Sequence, residues 1–317
     1  MKREEIFRKC AVPASIGGQA VIEGVMMKGA KTMAIAVRKS DGEIVIKKEA
    51  LKGKRKNSLG KLPLIRGVFA LIESMVLGVT SLTYSAEIYE DGGLSEEKGK
   101  IELWVERTFG EKADDVYIFF SVFIALAAAV FLFIITPTIV TNFLKTKIVR
   151  PLLLNLVEGL LRIGLFAGYV AAISKMKDIQ RVFQYHGAEH KTIHCYEDGQ
   201  PLTVENVKKF TTLHPRCGTS FLVIVMVISM ILFSLMGWPN PWMRILSRFI
   251  LLPVVAGLSY EVIKWAGRSQ SPWVYAISYP GLLLQKMTTK EPDDRQIEVA
   301  IAAMKGVLED DKEADLE

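Results

Sequence analysis

The sequence predicts a mainly α-helical integral membrane protein. About four transmembrane helices are joined by an interfacial or buried helix, and a small cytoplasmic unit containing a β-hairpin stands at the N-terminus. Three observations predict this. Half of the 317 residues are hydrophobic, and the apolar ones are gathered into long runs. The residues before the first run are not membrane-like and include two β-prone segments. All four histidines and two of the three cysteines fall in one stretch, YHGAEHKTIHCYEDG followed by LHPRCGTS.

The first fifteen residues, MKREEIFRKCAVPAS, are charged and lack the apolar core of a cleavable signal peptide. Cys10 there has no assigned role. GGQAVIEGVMMKG, with Gly17, Gly18, Gly24 and Gly29, lacks the spacing of a P-loop or a dinucleotide fingerprint. It reads as tight turns around a short strand; the alternatives are a glycine-rich turn that lets backbone approach a ligand, and Glu23 reaching the histidines as a ligand or base. Ala34–Val37 and Ile44–Lys48 flank Ser40-Asp41-Gly42 and predict a hairpin. Residues 1–61 thus form a β-containing unit too small for an independent core, and its expected partner is the histidine loop.

Residues 62–115 are an interfacial helix and a polar connector. Leu62–Ala86 is apolar but holds Arg66, Glu73 and several Ser, Thr and Gly. A buried or interfacial helix is the favoured reading, with a span as the alternative. Asp91–Asp115 predicts a short charged helix bounded by Gly93 and Gly110. Residues 116–174 make the first transmembrane pair. Val116–Val140 carries no charge and can cross a hydrocarbon core of ~30 Å. Pro151–Ser174 carries Glu158 and Arg162, spaced to pair on one helix face. Residues 175–218 are the cytoplasmic His/Cys-rich loop. Residues 219–266 make the second pair, from Phe221–Met236 and from Met243–Ala266, whose Arg244, Arg248, Glu261 and Lys264 lie mostly near its ends. Within residues 267–317, Trp273–Leu284 reads as interfacial or re-entrant, broken by Pro280. An amphipathic helix follows, N-capped by Asp293 or Asp294, with Ile297, Ala300, Ile301, Met304 and Leu308 on one face and a disordered acidic tail beyond.

Basic residues set the orientation. The N-terminal segment holds Lys52, Lys54, Arg55 and Lys56. The histidine loop holds Lys175, Lys177, Arg181, Lys191, Lys208, Lys209 and Arg216. Both segments, and both chain ends, are expected in the cytoplasm, although Lys145, Lys147 and Arg150 in a short outer loop run against this. A multi-pass protein of the cytoplasmic membrane, with the lipid bilayer as partner and reduced thiols, is the expectation. The net charge of +6 is ordinary for that topology and does not argue for nucleic-acid recognition.

HGAEH, from His186 to His190, has the form H-x-x-E-H. On a helix, imidazoles at i and i+4 stand one above the other and can share an ion. Glu189 beside them is a candidate base toward water, as in the inverzincin pattern. His194 extends the series to i+8, with Glu197 on much the same face. On a straight helix His186 and His194 are ~12 Å apart along the axis, too far for one ion with bonds of about 2 Å. Either the helix breaks near Gly187, or the pair is His190 and His194, or a second site exists. Pro215 and Gly218 imply a turn holding His214 and Cys217 near the mouth of the third span. The expected ligands are therefore His186, His190, His194, His214 and Cys217, with Glu189 catalytic and a divalent metal, zinc first, as cofactor. The bland alternative is a loop whose histidines hydrogen-bond locally and whose cysteines are merely buried.

The chain resembles the YqhQ-like family, bacterial membrane proteins described as predicted metal-dependent enzymes. Gly17–Gly29, Leu64–Gly78, Gln184–Glu197, His214–Phe221 and Glu291–Asp294 carry the resemblance. It implies an integral membrane protein with a metal site at the histidine stretch and names no substrate. Two functions follow as expectations. One is a metal-dependent hydrolase. The other is a non-enzymatic factor for insertion or assembly of membrane proteins, contacting other membrane proteins, the translocation machinery, a ribosome or anionic lipid, with a structural metal or none. Three protein ligands and an open position favour the first, and a closed four-ligand site favours the second. A transporter is disfavoured, because the spans are few and show no repeat.

Overall fold

The computed structural model describes residues 16–51, 62–90, 100–110, 113–148, 150–235, 240–266 and 271–313. Cys10, the basic cluster of Lys52 to Lys56, Gly93 and the last four residues of the acidic tail lie outside them. The chain divides into two compact units. One comprises residues 1–92, 169–228 and 253–317, and the other residues 93–168 and 229–252.

The first unit opens with an antiparallel meander: β1 (Gly17–Val21), β2 (Gly24–Lys28), β3 (Thr32–Arg38) and β4 (Ile44–Ala50), in that spatial order. The β3–β4 hairpin turns around Ser40-Asp41-Gly42, as expected, with Gly42 at φ 94°. The glycine-rich segment forms a further hairpin whose two strands are joined by Ile22-Glu23. Glu23 takes φ 48°, unusual for a side chain of its kind, and its carboxylate is gripped by Arg181 and by the Tyr185 hydroxyl at 3.2 Å. Glu23 therefore serves the fold and does not join the histidines.

The sheet is covered on both faces, which answers how so small a unit acquires a core. In the order of the chain, the helices are α1 (Ile65–Glu90), α2 (Lys100–Phe109), α3 (Ala113–Val130), α4 (Thr136–Leu144), α5 (Pro151–Ile173), α6 (Lys177–Glu197), the short α7 (Val204–Val207), α8 (Gly218–Ser234), α9 (Pro241–Ala266), α10 (Pro272–Thr288) and α11 (Asp294–Glu313). On one face, Val25, Met27, Ala34 and Ala36 pack with Tyr185, Ala188 and Ile193 of α6 and with Ile297, Ala300, Ile301 and Met304 of α11. On the other, Val21, Met26, Met33, Ile35 and Val37 meet Leu77, Tyr84 and Ile88 of α1. Strand side chains alternate between faces, so one short sheet feeds two cores. The start of α11 is a reciprocal cap. Asp293 Oδ1 accepts from the Gln296 N–H at 2.8 Å, and Gln296 Oε1 accepts from the Asp293 N–H at 2.9 Å. Val299, Ala303 and Val307 are buried as well as the expected face, because α11 is held between the sheet and α6.

Among the described residues, four helical stretches are long and apolar enough to cross a membrane: Ile65–Tyr89, Val116–Leu144, Pro151–Ile173 and Ile245–Trp265. Where Phe221–Met236 was expected as a span, the helix is Gly218–Ser234, shorter at 17 residues, and Met236 lies outside the described residues. Trp273–Leu284 is not broken at Pro280; α10 runs through it. The charged connector forms α2 and ends before Gly110, at φ 56°.

The second unit contains α2 to α4, most of α5, and the facing parts of α8 and α9. Glu158 pairs with Arg162, as its spacing predicted, and also with Arg248 at 2.5 Å, while Thr138 donates to it at 3.2 Å. Arg162 Nε donates to the Phe133 carbonyl at 2.8 Å, within the π-helical turn Phe131–Ile135 that joins α3 to α4. Such a turn breaks the regular ladder of helix hydrogen bonds. Glu158 is 1% exposed and stands between two guanidinium groups, so removing its charge strands both in an apolar bundle. Glu158→Gln is expected to cost ~3–5 kcal/mol, the usual effect of breaking a buried ion pair. Thermal unfolding in detergent micelles checks this, and an unchanged midpoint would remove the cluster from the account of stability.

Candidate metal centre

The centre is built on α6, which stays helical through Gly187. That continuity sets His186 and His190 one above the other, with ring centroids 4.4 Å apart. Gly187 allows a close crossing. A Cβ there would lie 2.0 Å from the Lys290 carbonyl oxygen, so only glycine lets residues 288–290 pass over the helix. The crossing is pinned by the Lys290 N–H donating to the Phe183 carbonyl at 2.9 Å, and it sets the Thr288 carbonyl 2.8 Å from His186 Nδ1. The Thr212 carbonyl lies at Nδ1 of His190 in the same way. A carbonyl can only accept, so each ring carries a proton on Nδ1, which leaves Nε2 as the nitrogen that would bind a metal, the arrangement that orients imidazoles toward one.

Cys217 comes to them from the turn before α8. Its Sγ lies 3.2 Å from His186 Nε2 and 3.1 Å from Thr219 Oγ1, and it accepts from the Thr219 N–H at 3.5 Å. The turn is fixed by the buried Gln285 of α10. Its Oε1 accepts from the His214 N–H at 2.9 Å, and its Nε2 donates to the His214 carbonyl and the Ser220 hydroxyl at 2.8 and 2.9 Å. Gly281 permits this approach, since a Cβ there would sit 2.7 Å from Ser220 Cα.

Of the six side chains that the sequence singled out, three form one group: donor atoms of His186, His190 and Cys217 lie within 4.8 Å of one another. His194 and His214 form a second group, with Glu197, under the same limit. Its chemistry differs. Arg216 pairs with Glu197, and a guanidinium beside the carboxylate opposes a bound cation. His214 Nδ1 accepts from the Arg216 N–H at 3.3 Å, and His194 Nε2 donates to the Leu213 carbonyl at 3.0 Å. Burial, aided by the neighbouring imidazoles, pulls His194 far below the usual range and His214 down to about 3. The second group therefore reads as a neutral hydrogen-bonded brace for residues 211–217.

The first group is polarised. Burial opposes charge on His186, but the Cys217 sulfur, by charge and hydrogen bond, with Glu189 and the Thr288 carbonyl, raises it to about 9. Burial likewise opposes a Cys217 thiolate, and the His190 and His186 imidazoles overcome it and hold the thiol well below its usual range. Glu189 is buried beside them, and desolvation raises its pKa against the pull of His190 and His186. The Gly18 N–H donates to this carboxylate, whose Oε2 has no partner. Gly18 must lack a side chain, since a Cβ would approach Glu189 Cγ and Cδ to 2.9 Å. Two oriented imidazoles, one thiolate and a carboxylate with an orphaned oxygen fit a borderline-soft divalent cation such as zinc.

These groups line a cavity of about 560 Å³ bounded by β1, β2, α1, α6 and the turn into α8. A family model described as "Protein of unknown function (DUF1385)" matches residues 62–310, a span that takes in the whole centre. The chain belongs to this family. "Uncharacterized protein YqhQ" of Bacillus subtilis (strain 168) is 38% identical over 310 residues, covering 95% of this chain and 94% of the relative. No solved structure matches. Two functional features of this DUF1385 chain were outside the ligand set read from sequence. Glu197 carried a signal, being three residues from His194 on one helix face. Gly18 carried none, because its role is to admit a side chain more than a hundred residues away.

Proposed function

We propose that the protein is a membrane-embedded, metal-dependent hydrolase with its centre on the cytoplasmic side. The carrying observation is that His186, His190 and Cys217 converge as three donors beside a buried Glu189 on a cavity wall, leaving room for a ligand that is not a protein side chain. These three residues hold the ion, zinc by donor chemistry. When bound it supplies Lewis acidity toward water and the scissile group. The chain's own residues do the rest. Thr288 and Thr212 fix both imidazoles through their carbonyls. Glu189, buried beside the donors, takes the proton from the attacking water and returns it to the leaving group. The Gly18 N–H orients the carboxylate, and its buried Oε2 has no protein partner.

Four spans with both ends cytoplasmic fit the packing. The sheet, α6 and α11 share one core, so they lie on one side of the membrane, and each intervening stretch crosses an even number of times. Three apolar helices lie between β4 and α6. Of these, α1 stays beside the sheet from Glu73, paired with Lys28, to Ile88. It exposes Phe69, Ile72 and Val76, as an in-plane helix does toward lipid. That leaves α3–α4 and α5 as one crossing pair, and α8 and α9 as the other. The basic residues of 175–216 support the cytoplasmic assignment.

X-ray absorption at the edge of the bound metal tests the centre. Two imidazole nitrogens, one sulfur and one lighter exogenous ligand are expected. A shell without sulfur, or closed by four protein side chains, would contradict it.

A further inference from the structure

Resting on that reading, we infer that the substrate is an extended peptide segment, bound by addition to the free edge of β1 beside the centre. Among the described residues the strand order ends at β1, which pairs only with β2. In the tight β1–β2 hairpin Val21 and Gly24 close the turn, so Val21, Gln19 and Gly17 bond to β2 and the alternate residues direct their main-chain groups outward. Two contacts agree with this register. The Gly18 N–H goes outward to Glu189, and the Ile22 N–H goes outward to Ser85 Oγ at 3.1 Å. Between them stand the Ala20 N–H and the carbonyls of Gly18 and Ala20, and among the described residues nothing takes them.

Gly17, Gly18, Gln19 and Ala20 all line the cavity that holds His186, Glu189, His190 and Cys217. The unused edge and the reactive groups thus share one space. Native sheets usually cover or blunt such an edge, and peptide-binding domains use it. Gly17 strengthens the case. It is exposed, and a Cβ on it would meet nothing within 4 Å, so packing does not demand glycine there. Glycine within a strand marks a place where another backbone approaches.

A peptide laid along β1 would accept from the Ala20 N–H and donate to the Gly18 and Ala20 carbonyls. Because the Gly18 N–H already holds Glu189, the paired peptide bond would lie beside that carboxylate. Hydrolysis there adds water across the amide: hydroxide goes to the carbonyl carbon, and the proton held by Glu189 goes to the amine nitrogen as the C–N bond breaks, leaving a carboxylic acid and an amine. A lipid has no main-chain ladder to offer this edge. The apolar walls, from Ile16, Met26, Leu77 and Phe183, favour segments with apolar side chains.

The test uses the full chain in detergent micelles, with ion content measured in parallel. The probe is a library of fluorescein-labelled twelve-residue peptides, read by fluorescence polarisation and by hydrogen exchange at β1. A subset should bind and slow exchange of the Ala20 amide. Glu189→Gln should bind the same peptides without cutting them. N-methylation of alternate residues in a bound peptide should weaken it by about tenfold or more, the worth of one or two lost hydrogen bonds. Ala20→Pro should do the same with ion content unchanged, because an outward N–H on an edge strand is one that proline can replace. The inference is overturned if no peptide in the library binds, if N-methylated peptides bind as well as their parents, or if phosphatidylethanolamine–phosphatidylglycerol vesicles are hydrolysed and peptides are not. Peptide binding at β1 by a chain that holds no ion would instead sink the metal reading and leave the peptide-binding edge standing without the hydrolysis.

Discussion

His190→Ala should empty the centre. His190 belongs to the three-donor group, and its Nδ1 is committed to the Thr212 carbonyl, so no rotation lets a neighbour replace it. The adjacent imidazoles are otherwise engaged: His194 donates to Leu213, and His214 is clamped through its backbone by Gln285. Losing a residue that only orients a ligand typically costs 10–100-fold in metal affinity, and losing a direct ligand should cost more than about 100-fold. Mass spectrometry of the purified variant should find less than about a tenth of the wild-type ion content. His194→Ala should keep most of it, since His194 sits in the brace around Glu197 and Arg216. Full occupancy in His190→Ala would refute the centre as drawn, and equal loss in both variants would merge the two groups into one site.

The contrast between His190 and His194 marks how far the sequence could be read. Spacing alone put the histidines at i, i+4 and i+8 and forbade one ion from holding both ends. It also tied His214 and Cys217 to one turn. It could not say which imidazoles Cys217 would join. That choice depends on the chain crossing at Gly187 and on Gln285 reaching His214, contacts between residues far apart in sequence. Charge placement was equally hidden. The Arg216–Glu197 pair, which makes the second group a poor cation site, requires the turn to fold back on the end of α6.

The fold divides in the same way. Long apolar runs and the Ser40-Asp41-Gly42 turn were visible, and so was the apolar face of α11. The β1–β2 hairpin was missed because glycines weaken strand signals, and its turn uses Glu23 at positive φ without the usual Asn or Gly. The ambiguity of Leu62–Ala86 had a physical source. One face of α1 carries Gly78, Ser81 and Ser85 against the sheet and another carries large apolar groups, a composition that also suits a span.

Glu189→Gln should separate a reactive ion from a structural one. Glutamine keeps the shape of the side chain, and its carbonyl oxygen can still accept from the Gly18 N–H, but it cannot take a proton from water. Glu189 is absent from the three-donor group, so the ion should remain. Removing a general base costs on the order of 10²–10⁴-fold in rate, enough to abolish function in a cell. Ion content by mass spectrometry, and complementation of a deletion strain by the same variant, are read together. The expected result is wild-type ion content, an unchanged fold and failure to complement. Full complementation with the ion retained, while His190→Ala fails, would contradict the account. The ion would then be structural, and a non-enzymatic role in membrane-protein assembly would replace hydrolysis.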